Sequence, residues 1–239
     1  MRFKLPYHVH NMSIVLAVTV CITTASGWFI GRSDDFGSRP LAIIWGSDPQ
    51  MYDPHNTSHP TAQSIFRHAC EPLFYEDFTG ELRGLLAEDP IEYASDGQSV
   101  TIRLRPDIRF HDGALLNAQA VKSSFEWLQR QGVSPLLNDL RSVRINAHTD
   151  QQTVTFHLPS PDYEFVRLVL TNSYAAIVSS LTQTSTAPGF VACTGTYQFV
   201  PEQYQPNRSL TLARVKNYHT PPHYLPTNML HTFHSYTFS

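Results

Sequence analysis

An unbroken apolar run, Leu41-Ala42-Ile43-Ile44-Trp45, stands between polar stretches and predicts a buried first strand, ended by Gly46-Ser47-Asp48-Pro49. Ile65, Phe66, Ala69 and Leu73 then recur at helical spacing, with Thr61 as the expected N-cap and Pro72 as the stop. Apolar and polar residues alternate over 100–104, which predicts a strand, and Phe110-His111-Asp112-Gly113 closes the turn after it. Asn117 is placed to cap a helix whose inner face is Ala118, Val121, Phe125 and Leu128, with Gly132 as its C-terminal stop. Strands are expected at 143–146 and at 153–157, where Val154, Phe156 and Leu158 share one face and Thr153, Thr155 and His157 the other. Ser160-Pro161 reads as the start of another helix carrying Phe165, Leu168 and Val169, followed by a short strand over 175–178. After a polar loop at 182–189, a hairpin pairs 197–200 with 209–213 across residues 201–208. Strands mixed with helices make the fold α/β or α+β, neither a bundle nor a sandwich.

The N-terminal stretch has a different pattern. Arg2 and Lys4 precede an uncharged segment from Leu5 to Gly31, with Ser13 to Ala25 as its apolar part and Thr23-Thr24-Ala25 as a small-residue cleavage site. That is the layout of an export signal over residues 1–31. An uncleaved membrane anchor is the second reading, because Ile14 to Ile30 approaches spanning length, and lipidation at Cys21, preceded by Val20, is the third. Each places the remainder outside the cytoplasm. Residues 32–40 are a polar linker, so the folded domain is expected over 41–235.

Composition narrows the function. Seventeen Lys plus Arg against twenty Asp plus Glu give a net charge of −3 over 239 residues, with no basic block for a nucleic acid. There is no Gly-rich phosphate loop either. Cys70 and Cys193 remain beyond the signal; an oxidising compartment permits them to pair, and two buried thiols are the other reading.

Two motifs could carry chemistry. Asp53-Pro54-His55 follows the first strand, where ligands bind in α/β folds, and a proline-stiffened Asx turn is its structural alternative. His111-Asp112 has the residue types of a general base and its orienting partner. No nucleophile stands in a recognisable setting beside it: Ser123 and Ser124 lie on the predicted helix without a nucleophile elbow, so a structural turn and no enzymatic activity are expected. His219, His223, His231 and His234 could surround a transition metal, but Pro221, Pro222 and Pro226 break any ligand-bearing helix, and scattered surface histidines are the favoured reading.

In order along the chain stand Asp53-Pro54-His55, Glu71-Pro72-Leu73, Leu86-Ala87-Glu88, Ser95-Asp96-Gly97, the Leu104 to Gly113 turn, Asn117-Ala118 with Val121-Lys122-Ser123-Ser124-Phe125, and Thr194-Gly195-Thr196-Tyr197-Gln198-Phe199. This series resembles the peptide/nickel class (family 5) of extracytoplasmic solute-binding proteins that feed ABC importers. The resemblance implies a type II periplasmic-binding-protein fold, of which this chain holds the N-terminal lobe with a subdomain inserted at about 82–186. It implies a peptide or other small solute and membrane permease subunits as partners, with no cofactor and no nucleic acid. It also implies that Asn56, Thr57, Ser58 and His59 reach the ligand cleft, and that His111 and Asp112 form a structural turn. The family usually has Pro at Thr196, Trp at His219, an aromatic at Cys70 and a Trp near Asp89. With the second lobe and its amine-binding carboxylate beyond the last residue, the expectation is a truncated or decayed binding protein. A membrane-tethered interaction protein needing a partner lobe and a nickel-binding variant are the alternatives.

Overall fold

The structure, a computed structural model, describes residues 41–49, 52–131, 136–183, 190–219 and 228–233, all within one compact unit, Pro40–Ser239. The export segment, the linker, Gly132, His223, His234 and most of the 182–189 loop lie outside the described residues.

The chain runs β1 (Leu41–Trp45), α1 (Pro60–Ala69), β2 (Phe74–Glu76), β3 (Leu82–Gly84), β4 (Glu92–Tyr93), β5 (Ser99–Arg103), α2 (Ala118–Gln131), the single turn α3 (Leu137–Leu140), β6 (Arg144–His148), β7 (Thr153–His157), β8 (Tyr197–Phe199), β9 (Ser209–Arg214) and β10 (Asn228–Phe233). These strands make two four-stranded sheets, ordered β1-β10-β9-β8 and β4-β5-β7-β6, and a small β2–β3 hairpin. The second sheet is antiparallel throughout. Its register aligns Val100, Phe156 and Ile145 in one row and Ile102, Val154 and Ala147 in the next. Both rows lie under α2, whose Val121, Phe125 and Leu128 complete the larger core; the Phe125 and Phe156 rings meet edge-on at 5.1 Å. On the other face Thr101 and Thr155 join their hydroxyls at 3.0 Å. Asn117 caps α2 as expected, its Oδ1 accepting from the Ala120 N–H at 2.8 Å.

The first sheet and α1 enclose a smaller core containing Tyr52, Phe66, Val191, Tyr197, Leu210 and Leu212. Cys70 and Cys193 are bonded, with Cα atoms 4.9 Å apart, which decides between the two readings of these cysteines. Gly195 passes so close to α1 that a Cβ would sit 2.5 Å from the Ala69 carbonyl, the close approach its sequence context allowed.

Four expectations need correction. First, β1 is not buried: Ile44 is 65% and Leu41 45% exposed, because among the described residues the strand lies at a sheet edge and pairs with β10 alone. Second, α1 begins two residues earlier and ends earlier than the pattern implied. Pro60 occupies the first turn, and the cap is His59, whose Nδ1 takes the Thr61 N–H at 3.2 Å. Cys70 is already extended, in keeping with the constraint that Pro72 puts on Glu71, and Leu73 joins the larger core. Third, no helix starts at Ser160-Pro161. The Asp162 N–H bonds the Gly97 carbonyl at 3.0 Å and its carboxylate accepts from the Glu164 N–H, which delays the turn to Phe165 and a wide Val166–Leu170 coil. Leu168 therefore faces water, at 63% exposure. Fourth, 175–178 is extended but no strand. Its neighbouring N–H groups go to three separate places: Ile177 to the Glu71 carbonyl, Val178 to Ser124 Oγ and Ser179 to the Ala192 carbonyl.

Candidate ligand site

The loop between β1 and α1 is organised from within by Asp53. One carboxylate oxygen accepts the His55 N–H at 2.9 Å and the other the Trp127 indole N–H at 3.0 Å, which ties the loop to α2. His55 is fully buried and donates from Nε2 to the Ala176 carbonyl at 2.8 Å. Burial pulls its pKa down, against the pull of Asp53, so the ring is neutral and its Nδ1 stays without a hydrogen bond. Gln63 in α1 reaches back to the Pro54 and Thr57 carbonyls and takes the Ser173 hydroxyl on its Oε1.

The four residues expected at the cleft lie together on this loop but are not equally available. Thr57 is buried and its hydroxyl accepts the His59 N–H at 3.1 Å. His59 is used on both ring nitrogens, for the α1 cap and for Ser47 Oγ at 3.2 Å. Asn56 is half-buried and its N–H closes the turn onto the Asp53 carbonyl. Ser58 is exposed, directly before the helix start.

A larger concavity lies at the opposite end of α1. A cavity of about 740 Å³ is lined by Arg67 and His68 of α1, by Glu71, by Tyr75 and Glu76 of β2, and by Arg105, Asn172, Thr196 and Tyr218 among others. Its floor is the buried Glu71 carboxylate, held by the Tyr218 hydroxyl and by His219 Nε2 at 2.9 Å. Burial and the Glu71 charge push the Tyr218 hydroxyl pKa up, so it remains a donor. Arg67 stands four residues before Glu71, the spacing of a helical ion pair, but α1 ends at Ala69 and Glu71 turns inward instead.

The Phe110–Gly113 turn is fastened to the same seam. His111 accepts the Cys193 N–H on Nδ1, at 3.4 Å, and donates from Nε2 to the Gly195 carbonyl at 2.9 Å. Desolvation lowers its pKa. Asp112 bonds the Ala114 N–H, and Gly113 supplies a φ of +87°. Both nitrogens of His111 thus meet main chain, which is the structural role anticipated for this turn. Among the described residues no group of three or more His, Cys, Asp or Glu could hold a metal. His219 is committed to Glu71, and His231 falls in β10. The cavity escaped sequence reasoning because its walls come from segments far apart in the chain. The visible signals were Glu71-Pro72 and Thr194-Gly195-Thr196, without any indication that they met.

The family described as bacterial extracellular solute-binding proteins, family 5 Middle, matches residues 81–228, more than half of the chain. A glutathione-binding protein, GsiB, from Pectobacterium atrosepticum is 27% identical over 197 residues, covering 78% of this chain and 35% of its own length. The chain therefore spans about a third of that relative. Among solved structures, a nickel ABC transporter protein from Bacillus halodurans superposes with a TM-score of 0.68 at 23% identity, over 82% of this chain and 39% of that one. The periplasmic binding protein DppA from Helicobacter pylori, in complex with the peptide STSA, gives 0.69 at 20% identity, over 82% and 43%. The fold is that of part of a type II periplasmic binding protein.

Proposed function

This chain belongs to family 5 of the bacterial extracellular solute-binding proteins, and from that premise we propose that it serves an ABC importer by capturing a peptide or similar small solute outside the cytoplasm. Asn56, Thr57, Ser58 and His59 form the solute-facing loop of this reading. Ser58 offers its hydroxyl, while Thr57 and His59 hold the loop against α1 and Asn56 closes the turn. The observation that carries the proposal is the family match over 81–228, which embraces the whole second sheet and the return to the first. The Cys70–Cys193 disulfide supports an exported location, since such bonds persist in oxidising compartments. The GsiB relative makes glutathione, a peptide, the first solute to try.

Binding proteins of this kind gain affinity by enclosing a solute, which desolvates its polar contacts. Calorimetry with glutathione and a pool of di- to pentapeptides should give a saturable isotherm that weakens about threefold or more in Ser58→Ala, the loss of one hydrogen bond. An absence of saturable binding by any of these solutes, in a chain shown to be folded, would overturn the reading.

A further inference from the structure

We propose that the cavity at the C-terminal end of α1 is a second binding site, specific for a small organic anion held by Arg67, Arg105 and Asn172. The case comes from asking which polar groups in the cavity the protein itself has already used. The acceptors are taken. Glu71 receives the Tyr218 hydroxyl and His219, and Glu76 is paired with Arg167 at 2.8 Å. The donors are not. Arg67 has no carboxylate partner among the described residues, and Arg105 spends one nitrogen on the Leu85 carbonyl at 3.1 Å and pairs with no carboxylate there. Asn172 uses its carbonyl oxygen for the Tyr174 N–H, which leaves its amide N–H₂. A ligand that completes these valences must accept several hydrogen bonds and carry negative charge, as a carboxylate or a phosphate monoester does.

The size excludes a lone inorganic ion as the best fit. A volume of about 740 Å³ lies in the range of pockets for small organic molecules. Tyr75, 43% exposed on β2, offers an aromatic wall for the carbon skeleton of such a ligand. Two carboxylates in the lining oppose an anion: Glu76 is offset by Arg167, whereas Glu71 is satisfied by hydrogen bonds from Tyr218 and His219 and keeps its charge, so the two guanidiniums Arg67 and Arg105 must outweigh it. The site is distinct from the Ser58 loop, because the two lie at opposite ends of a ten-residue helix, about 15 Å apart. It does not depend on the loop reading.

The test is calorimetry on the full chain with three probes: the dipeptide Glu-Glu, phosphoserine and the dipeptide Lys-Lys. Glu-Glu or phosphoserine should bind saturably, more weakly as salt is added, and the tighter of the two identifies the oxyanion. Arg67→Gln should weaken that binding roughly ten- to hundredfold, the loss of a charged hydrogen bond. Arg67→Lys should restore part of it, and Arg144→Gln, which removes an exposed arginine on β6, should leave it unchanged. Arg67 is exposed on the last turn of α1, so its replacement does not endanger folding. Failure of both anions to bind, displacement of bound phosphoserine by Lys-Lys as readily as by Glu-Glu, or indifference to Arg67→Gln would each overturn the site. Weakened glutathione binding in Ser58→Ala with phosphoserine binding intact separates the two readings.

Discussion

In the larger core, the sheet β4-β5-β7-β6 and the helix α2 are all neighbours along the chain, and their contacts are aliphatic and aromatic. The smaller core draws β1 and α1 from the start of the domain and β8, β9 and β10 from its end. It therefore depends on links across long sequence distances. The Cys70–Cys193 bond spans a separation of 123 residues. Asp48 accepts the Tyr52 hydroxyl at 2.7 Å and the Tyr204 hydroxyl at 2.8 Å, a separation of 156 for the second. Around them Tyr52 stacks on Phe190 at 4.7 Å. Local elements can close a core with packing alone, whereas distant segments carry a larger loop-closure cost, and cross-links and buried polar bonds reduce it. Both proposed sites border the second kind of core.

The comparison breaks first at Phe156. This ring is fully buried between Phe125 and Phe165, at 5.1 and 5.7 Å. Phe156→Ala should cost about 3–5 kcal/mol and lower denaturant stability for the whole unit, because no cross-link compensates for a cavity there. A loss below about 1 kcal/mol would show a core that re-packs freely, contrary to its aligned register. Next comes the disulfide. Replacing both cysteines by alanine should cost about 2–4 kcal/mol, and hydrogen exchange should rise at Leu210 and Leu212 well before Val154 and Phe156. Equal loss of protection in both sheets would mean that the two cores unfold as one and that the distinction drawn between them is only topological.

Legibility in the sequence follows the same division. The strand at Thr153–His157, the helix capped by Asn117 and the β8–β9 hairpin were visible because each carries its own period or cap. What failed lay where a distant partner decides the conformation. The apolar run of β1 looks buried, yet nothing in its five residues says that the strand sits at an edge. The N–H groups of Ile177 and Ser179 are spoken for by Glu71 and Ala192, so an apolar run became an extended tie instead of a strand. Of the loop over 56–59, the sequence disclosed the position between β1 and α1 but not that His59 would serve as a helix cap, a role seldom given to an imidazole. The cavity at the end of α1 was illegible altogether, since Arg67 and Arg105 come to line one cavity only through the fold.

The smallest effect expected is acid sensitivity confined to the smaller core. His55 and His111 both fasten segments to it, through the Ala176 carbonyl and through Cys193 and Gly195. Desolvation depresses both pKa values, opposed at His55 by Asp53 and at His111 by its bond to Gly195 and by the charges of Glu71 and Asp112. A histidine with a folded pKa below its unfolded value of about 6.5 binds fewer protons in the native state, so stability is full above that pH and falls as pH drops below it. At pH 6 the penalty is at most about 0.8 kcal/mol for each ring, because the unfolded ring is then about three-quarters protonated. Between about pH 8 and pH 6, exchange at Leu210 and Leu212, corrected for the intrinsic pH dependence, should therefore accelerate by at most about sixteenfold for the two rings together, while Val154 and Phe156 stay level. His111→Gln keeps a donor for the Gly195 carbonyl without a titrating group, and it should remove part of that acceleration. If the acid response is the same in both sheets, or survives in His111→Gln combined with His55→Gln, these two histidines are not its source.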